Sequence, residues 1–87
     1  MSDSTSAIEL AVREALRDHG RLTVDAHSID RSANLYEGGM TSQASVNVML
    51  ALEGRFDLEF PDAMLSREVF ASIANIAAAL VSLGAQP

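Results

Sequence analysis

The sequence predicts an all-α fold: a small bundle of three main helices and one short helix, with a long first loop. Three observations carry this reading. Apolar residues recur at three- and four-residue intervals in three separate stretches. Cap-competent and chain-reversing residues stand at the ends of those stretches. Between the first two, from Arg21 to Met40, there is no sustained period of either kind. With 87 residues, 48% of them apolar, the chain has enough material for one helical core and is too short for a second domain, so residues 1–87 are expected to form a single unit.

The first helix is expected over about 4–19. Ile8, Ala11, Val12 and Ala15 form its inner face, and Glu9, Arg13, Glu14, Arg17 and Asp18 the outer one. Ser6 and Glu9 have the spacing of a capping box, while Ser2, Asp3 and Ser4 are competent earlier caps. Gly20 is the expected stop. The loop over about 20–40 is longer than compact domains usually carry, and such loops tend to be functional. Leu22, Val24, Ile29, Leu35 and Tyr36 are expected to pin it to the core, and Gly38-Gly39 gives positive φ a place before the next helix.

The second helix is expected over about 41–55, with Val48, Met49, Leu52 and Phe56 as its core stripe and Ser45 at the head of that stripe. A short helix is expected over about 62–68, with Met64 and Leu65 inward, and a last helix over about 72–83, capped by Ser72. The last helix buries Ile73, Ile76, Ala77 and Leu80; Gly84 to Pro87 are expected to fray.

Composition excludes several functions. There is no cysteine, hence no disulfide, thiolate metal site or cysteine nucleophile. Twelve acids against six arginines give a formal charge of −6, the wrong sign for binding phosphate backbones. It suits solubility or docking on basic partner surfaces. His19 and His27 lack oriented partners and read as surface residues, and no paired acid–base set suggests an enzyme. The start is neither a basic nor a long apolar leader, and no run is long enough to span a bilayer, so a cytoplasmic protein free of membranes and nucleic acid is expected.

The second helix has more apolar residues than its stripe needs. Val46 and Leu50 follow Ser42 at i+4 and i+8 along one side, Met40 precedes it, and Glu53 and Asn47 flank the strip. Periodicity alone leaves two readings open. Ser42 or Thr41 caps the helix and the two aliphatics are core, or the strip is a working surface.

The stretch LYEGGMTSQASVNVMLALEGRFDLEFPDAML resembles the centre of an acyl or peptidyl carrier protein. It shares a glycine turn, a hydroxyl-bearing triplet opening the second helix, an apolar run ending in Ala51-Leu52-Glu53, and a Phe60-Pro61 turn. Phe70-Ala71-Ser72-Ile73 is similar to the approach to that family's last helix. The order of helix, long loop, helix, short helix, helix is the family's too. The resemblance implies a four-helix carrier-type bundle with 4′-phosphopantetheine attached to Ser42, counted back from Ala51-Leu52-Glu53. Thr41 stands in place of the usual aspartate and Gln43 of the usual leucine.

Ala44, Asn47 and Gly54 stand where fatty-acid carriers often have acids, which leaves Glu53, expected to face Arg55 two residues later, as the second helix's only acid. LYEGGMTS with the MLALE run resembles the stand-alone bacterial aminoacyl carriers. The resemblance therefore implies a carrier that performs no chemistry of its own and holds an acyl or aminoacyl thioester. Its implied partners are a phosphopantetheinyl transferase, a loading ligase or synthetase and a downstream acceptor, with Met40, Val46, Leu50 and Glu53 as contact points. A small acidic bundle of this kind is expected to be a monomer. The competing readings are a helical adaptor without prosthetic group and a carrier of fatty-acid or polyketide type.

Overall fold

The computed structural model describes residues 3–86, and among them there are helices, turns and irregular segments but no strand. Helix α1 spans Asp3–Ala15, α2 spans Ser42–Phe56 and α3 spans Ile73–Ser82. The fold is all-helical as expected, with three helices where four were counted. Asp62–Met64 forms a single 3₁₀ turn instead of a helix reaching residue 68. Its two closing bonds, Met64 N–H to Pro61 O at 2.8 Å and Leu65 N–H to Asp62 O at 3.1 Å, are not continued. Leu65, expected inside, is 47% exposed.

Helix α1 begins ahead of the expected capping box, so Ser6 lies within it, and Ser2 falls outside the described residues. Glu9 is therefore free of any capping duty and pairs with Arg31 of the loop at 2.6 Å. After Ala15 the helix widens into one π turn, Leu16–Gly20. Gly20 is buried there: a Cβ on it would meet Leu16 Cδ2 at 3.0 Å and Val48 Cγ2 at 3.7 Å. Its role is close approach between α1 and α2, and the left-handed stop falls on Arg21, φ 56°. Helix α1 packs along α3, and the π turn packs against α2.

The core joins Ile8, Val12 and Leu16 with Val48 and Leu52 and with Ile73, Ile76 and Leu80, all nearly free of solvent. Beneath the start of α2, Ala44 is also buried, 1% exposed. Met49 and Phe56, expected in the stripe, are only partly buried at its edge. Past α3, Gly84 (φ 85°) and Ala85 bond back to Val81 O and Leu80 O at 3.0 Å each, where fraying was expected.

The long loop is ordered by its own short polar side chains. Asp25 accepts from His27 N–H (2.9 Å), Asp30 from Ser32 N–H (2.8 Å) and Asn34 from Tyr36 N–H (2.9 Å), each closing a turn two residues on. Arg13 of α1 donates to the carbonyls of Ala26 and Ile29. Leu35, fully buried, bonds through its N–H to Ala71 O at 2.7 Å. Val24 is the exception among the expected anchors, at 50% exposure. Gly39 (φ 111°) lets the chain pass against Thr23 on its way into α2.

Candidate functional site

The start of α2 carries three hydroxyls in five residues, and their bonding separates them. Thr41 is the N-cap: its backbone is extended and its Oγ1 accepts from Ala44 N–H at 3.0 Å. Ser45 is buried, and its hydroxyl donates to Ser42 O at 2.6 Å. Ser42 stands exposed on the first turn, and its hydroxyl makes no hydrogen bond among the described residues. Capping therefore belongs to Thr41, and the Ser42 oxygen is left facing solvent.

The strip beyond Ser42 is surface. Val46 and Leu50 are 48% and 54% exposed, so the reading that placed them in the core does not hold. Two other expected contact residues sit differently. Met40 is 2% exposed, its side chain taken up by the core, so it underlies the helix start and offers no outward contact. Glu53 accepts from Phe60 N–H at 2.9 Å and ties the turn after α2 to the helix. Nor does Glu53 face Arg55, since residues two apart on a helix point to different sides. Arg55 pairs with Glu14 at 2.7 Å.

Beside Ser42 lies a mainly apolar groove of about 450 Å³. Ser42, Ser45, Val46 and Met49 form one wall, Leu65, Ser66, Arg67 and Phe70 the other, and Tyr36 of the loop joins them. Phe70 backs the groove, its ring 5.3 Å from that of Phe60. At the groove, the Arg67 guanidinium lies over the Tyr36 ring, 3.8 Å from its centroid. Leu65, Arg67 and Tyr36 were not singled out for this wall from sequence. They meet because the segment after the 3₁₀ turn is not helical and brings Leu65, Ser66, Arg67 and Phe70 to the groove.

Among the described residues no three His or carboxylate groups gather where they would hold a metal, and no helix is long and apolar enough to cross a membrane. His19 and His27 are exposed. What the site offers is a free hydroxyl at a helix start, an apolar track leading away from it, and one cation.

Comparison with known proteins gives this geometry its context. Residues 11–80 match the family described as phosphopantetheine attachment site. The chain is 46% identical over 65 residues to an aminoacyl carrier protein of Agrobacterium fabrum, covering 75% of this chain and 78% of that protein. A chain in the crystal structure of an engineered Bradyrhizobium japonicum glycine:[carrier protein] ligase complexed with carrier protein from Agrobacterium tumefaciens and ATP superposes with a TM-score of 0.82. Its identity is 40%, over 86% of this chain and 97% of that one. A second, from the Bradyrhizobium japonicum ligase complexed with glycylated carrier protein, has a TM-score of 0.62 at 25% identity, over 86% and 95% of the two chains. The chain thus belongs to the phosphopantetheine attachment family, among the aminoacyl carrier proteins, and its part in chemistry is to bear a substrate for enzymes on a serine-linked phosphopantetheine.

Proposed function

We propose that Ser42 bears the 4′-phosphopantetheine arm and that the holo protein receives an amino acid from an ATP-dependent ligase. The observation that carries the site is the bonding pattern at the start of α2: of three neighbouring hydroxyls, only that of Ser42 is both exposed and uncommitted. The local donor set suits an anion. The N–H groups of Ser42 and Gln43 precede the first intrahelical bond, Ser45 N–H to Thr41 O, and have no partner among the described residues. A helix start also favours negative charge. When bound, the arm supplies the thiol that this cysteine-free chain lacks. The chain itself holds the attachment point, offers the groove and presents Val46 and Leu50 to enzymes.

The amino-acid cargo is supported by the aminoacyl carrier relative and by the likeness to carriers complexed with glycine:[carrier protein] ligases, which makes glycine the first cargo to test. Co-expression with a phosphopantetheinyl transferase should add the mass of one arm to the wild type and none to Ser42→Ala. The holo form should then take up glycine, or another small amino acid, with ATP and a ligase of that class. An arm still attached to Ser42→Ala would move the site to another hydroxyl. Loading by a fatty-acid enzyme in preference to any amino-acid ligase would make the chain an acyl carrier of the fatty-acid type, and absence of any arm would leave it a helical adaptor.

A further inference from the structure

Five of the six arginines are accounted for away from the groove. Arg13 donates to loop carbonyls, and Arg17, Arg31 and Arg55 pair with Asp18, Glu9 and Glu14. Arg21 makes the left-handed turn after α1. Arg67 alone lines the groove that Ser42 lines, and it forms no ion pair among the described residues, although Glu68 follows it directly. Its guanidinium carbon lies over the Tyr36 ring, 3.8 Å from the centroid. A guanidinium donates hydrogen bonds in its plane, and contact with a ring face leaves donors free for another partner. The acceptor that best matches those donors is an oxyanion with two oxygens side by side, a carboxylate or a phosphate.

We propose that Arg67 holds the phosphodiester of the arm attached at Ser42, with Tyr36 as the platform that keeps its guanidinium at the groove edge. This rests on the Ser42 reading. A phosphodiester fixed to a chain of formal charge −6 needs a local cation if it is to lie against the protein instead of extending from it. Arg67 is the cation that the groove provides. Anchoring the phosphate there would direct the first part of the arm along the wall formed by Val46 and Met49. It would also leave the thiol end free to reach an enzyme. Arg67 is thus a positioning residue for the arm.

The test compares apo and holo wild type with Arg67→Gln and Arg67→Lys. Intact mass first establishes whether the arm is on Ser42; if it is not, the attachment reading fails and the Arg67 question falls with it. With the arm present, the ³¹P resonance of the folded holo wild type should be shifted and broadened relative to the same phosphodiester in the holo protein unfolded in urea. In folded holo Arg67→Gln it should move to the position of the unfolded holo form and narrow, with Arg67→Lys in between. The Arg67 Nε–H resonance should move between apo and holo wild type, a readout that needs no variant to fold. Tyr36 is the one tyrosine in a chain without tryptophan, so intrinsic emission reports this platform alone and should differ between apo and holo forms. An arm confirmed on Ser42 whose ³¹P signal is the same in wild type and Arg67→Gln, with Arg67 Nε–H unmoved, would overturn the proposal. Movement of Arg67 Nε–H only on addition of a ligase would overturn it too, in favour of a contact with the enzyme.

Discussion

Thr41 and Ser42 are neighbours with opposite duties, and single substitutions separate them. Thr41→Ala removes the acceptor for Ala44 N–H and should cost about 0.5–2 kcal/mol in urea denaturation. Ser42 makes no such bond, so Ser42→Ala should stay within about 0.5 kcal/mol of wild type while losing the arm by intact mass. Glu53 is the third informative residue. Read from sequence as part of the docking surface, it instead accepts from the part-buried Phe60 N–H. Glu53→Ala leaves that donor unpaired and should cost about 1–3 kcal/mol, which a denaturation midpoint will register. The family resemblance singled out Ser42, counted back from Ala51-Leu52-Glu53, whereas periodicity alone left the capping role open between Ser42 and Thr41. It gave no means of seeing that Met40 points inward or that Glu53 reaches a backbone amide seven residues on. The first depends on how the long loop enters α2, where Met40 N–H bonds to Leu35 O, and the second on where the turn after α2 folds back; no helical period encodes either.

At the scale of elements, α2 has two faces with different work. Leu52, fully buried, should cost about 2–5 kcal/mol when cut to alanine. Val46→Asp, on the exposed face, should keep the thermal midpoint near wild type and slow loading by the ligase. An unfolded Val46→Asp would show that the exposed strip is needed for the core. The long loop has its own acid sensitivity. The His27 N–H and then the Ser28 hydroxyl donate to Asp25 and hold its carboxylate below its ordinary value. A carboxyl group lowered on folding contributes its stability fully above the unfolded range and loses it as pH falls through the folded value. The 25–28 turn should therefore loosen on going from about pH 5 to about pH 2, seen as faster exchange of the His27 amide. Helices α2 and α3 were legible because apolar period and caps agree along each, and α1 from its apolar period alone, since its capping box lies inside the helix. The segment after Pro61 was not: Met64 and Leu65 have helical spacing, but one 3₁₀ turn places Leu65 outward and opens the groove wall. Short apolar runs carry too few turns for periodicity to decide between those outcomes.

For the whole molecule, charge and site are set apart. The net charge is −6, but around Ser42 the exposed side chains are Gln43, Val46, Asn47 and Leu50, with Arg67 across the groove. The two charged residues late in α2 are engaged within the fold, Glu53 with Phe60 N–H and Arg55 with Glu14. An enzyme approaching Ser42 along α2 thus meets aliphatic and amide groups with no row of carboxylates to attract it. Apolar contact is little affected by ionic strength, whereas steering between charged surfaces falls steeply once the Debye length shortens to about 8 Å. Loading of the holo protein by an amino-acid ligase should accordingly fall only a few-fold between low and physiological salt, and Leu50→Ala should reduce it more than that change in salt does. The measurement is the initial rate of aminoacylation across a salt series, for wild type, Leu50→Ala and the remote charge variant Arg17→Gln. A collapse of the wild-type rate with salt, together with an indifferent Leu50→Ala, would mean that the acidic surface as a whole recruits the enzyme and that the strip beyond Ser42 does not.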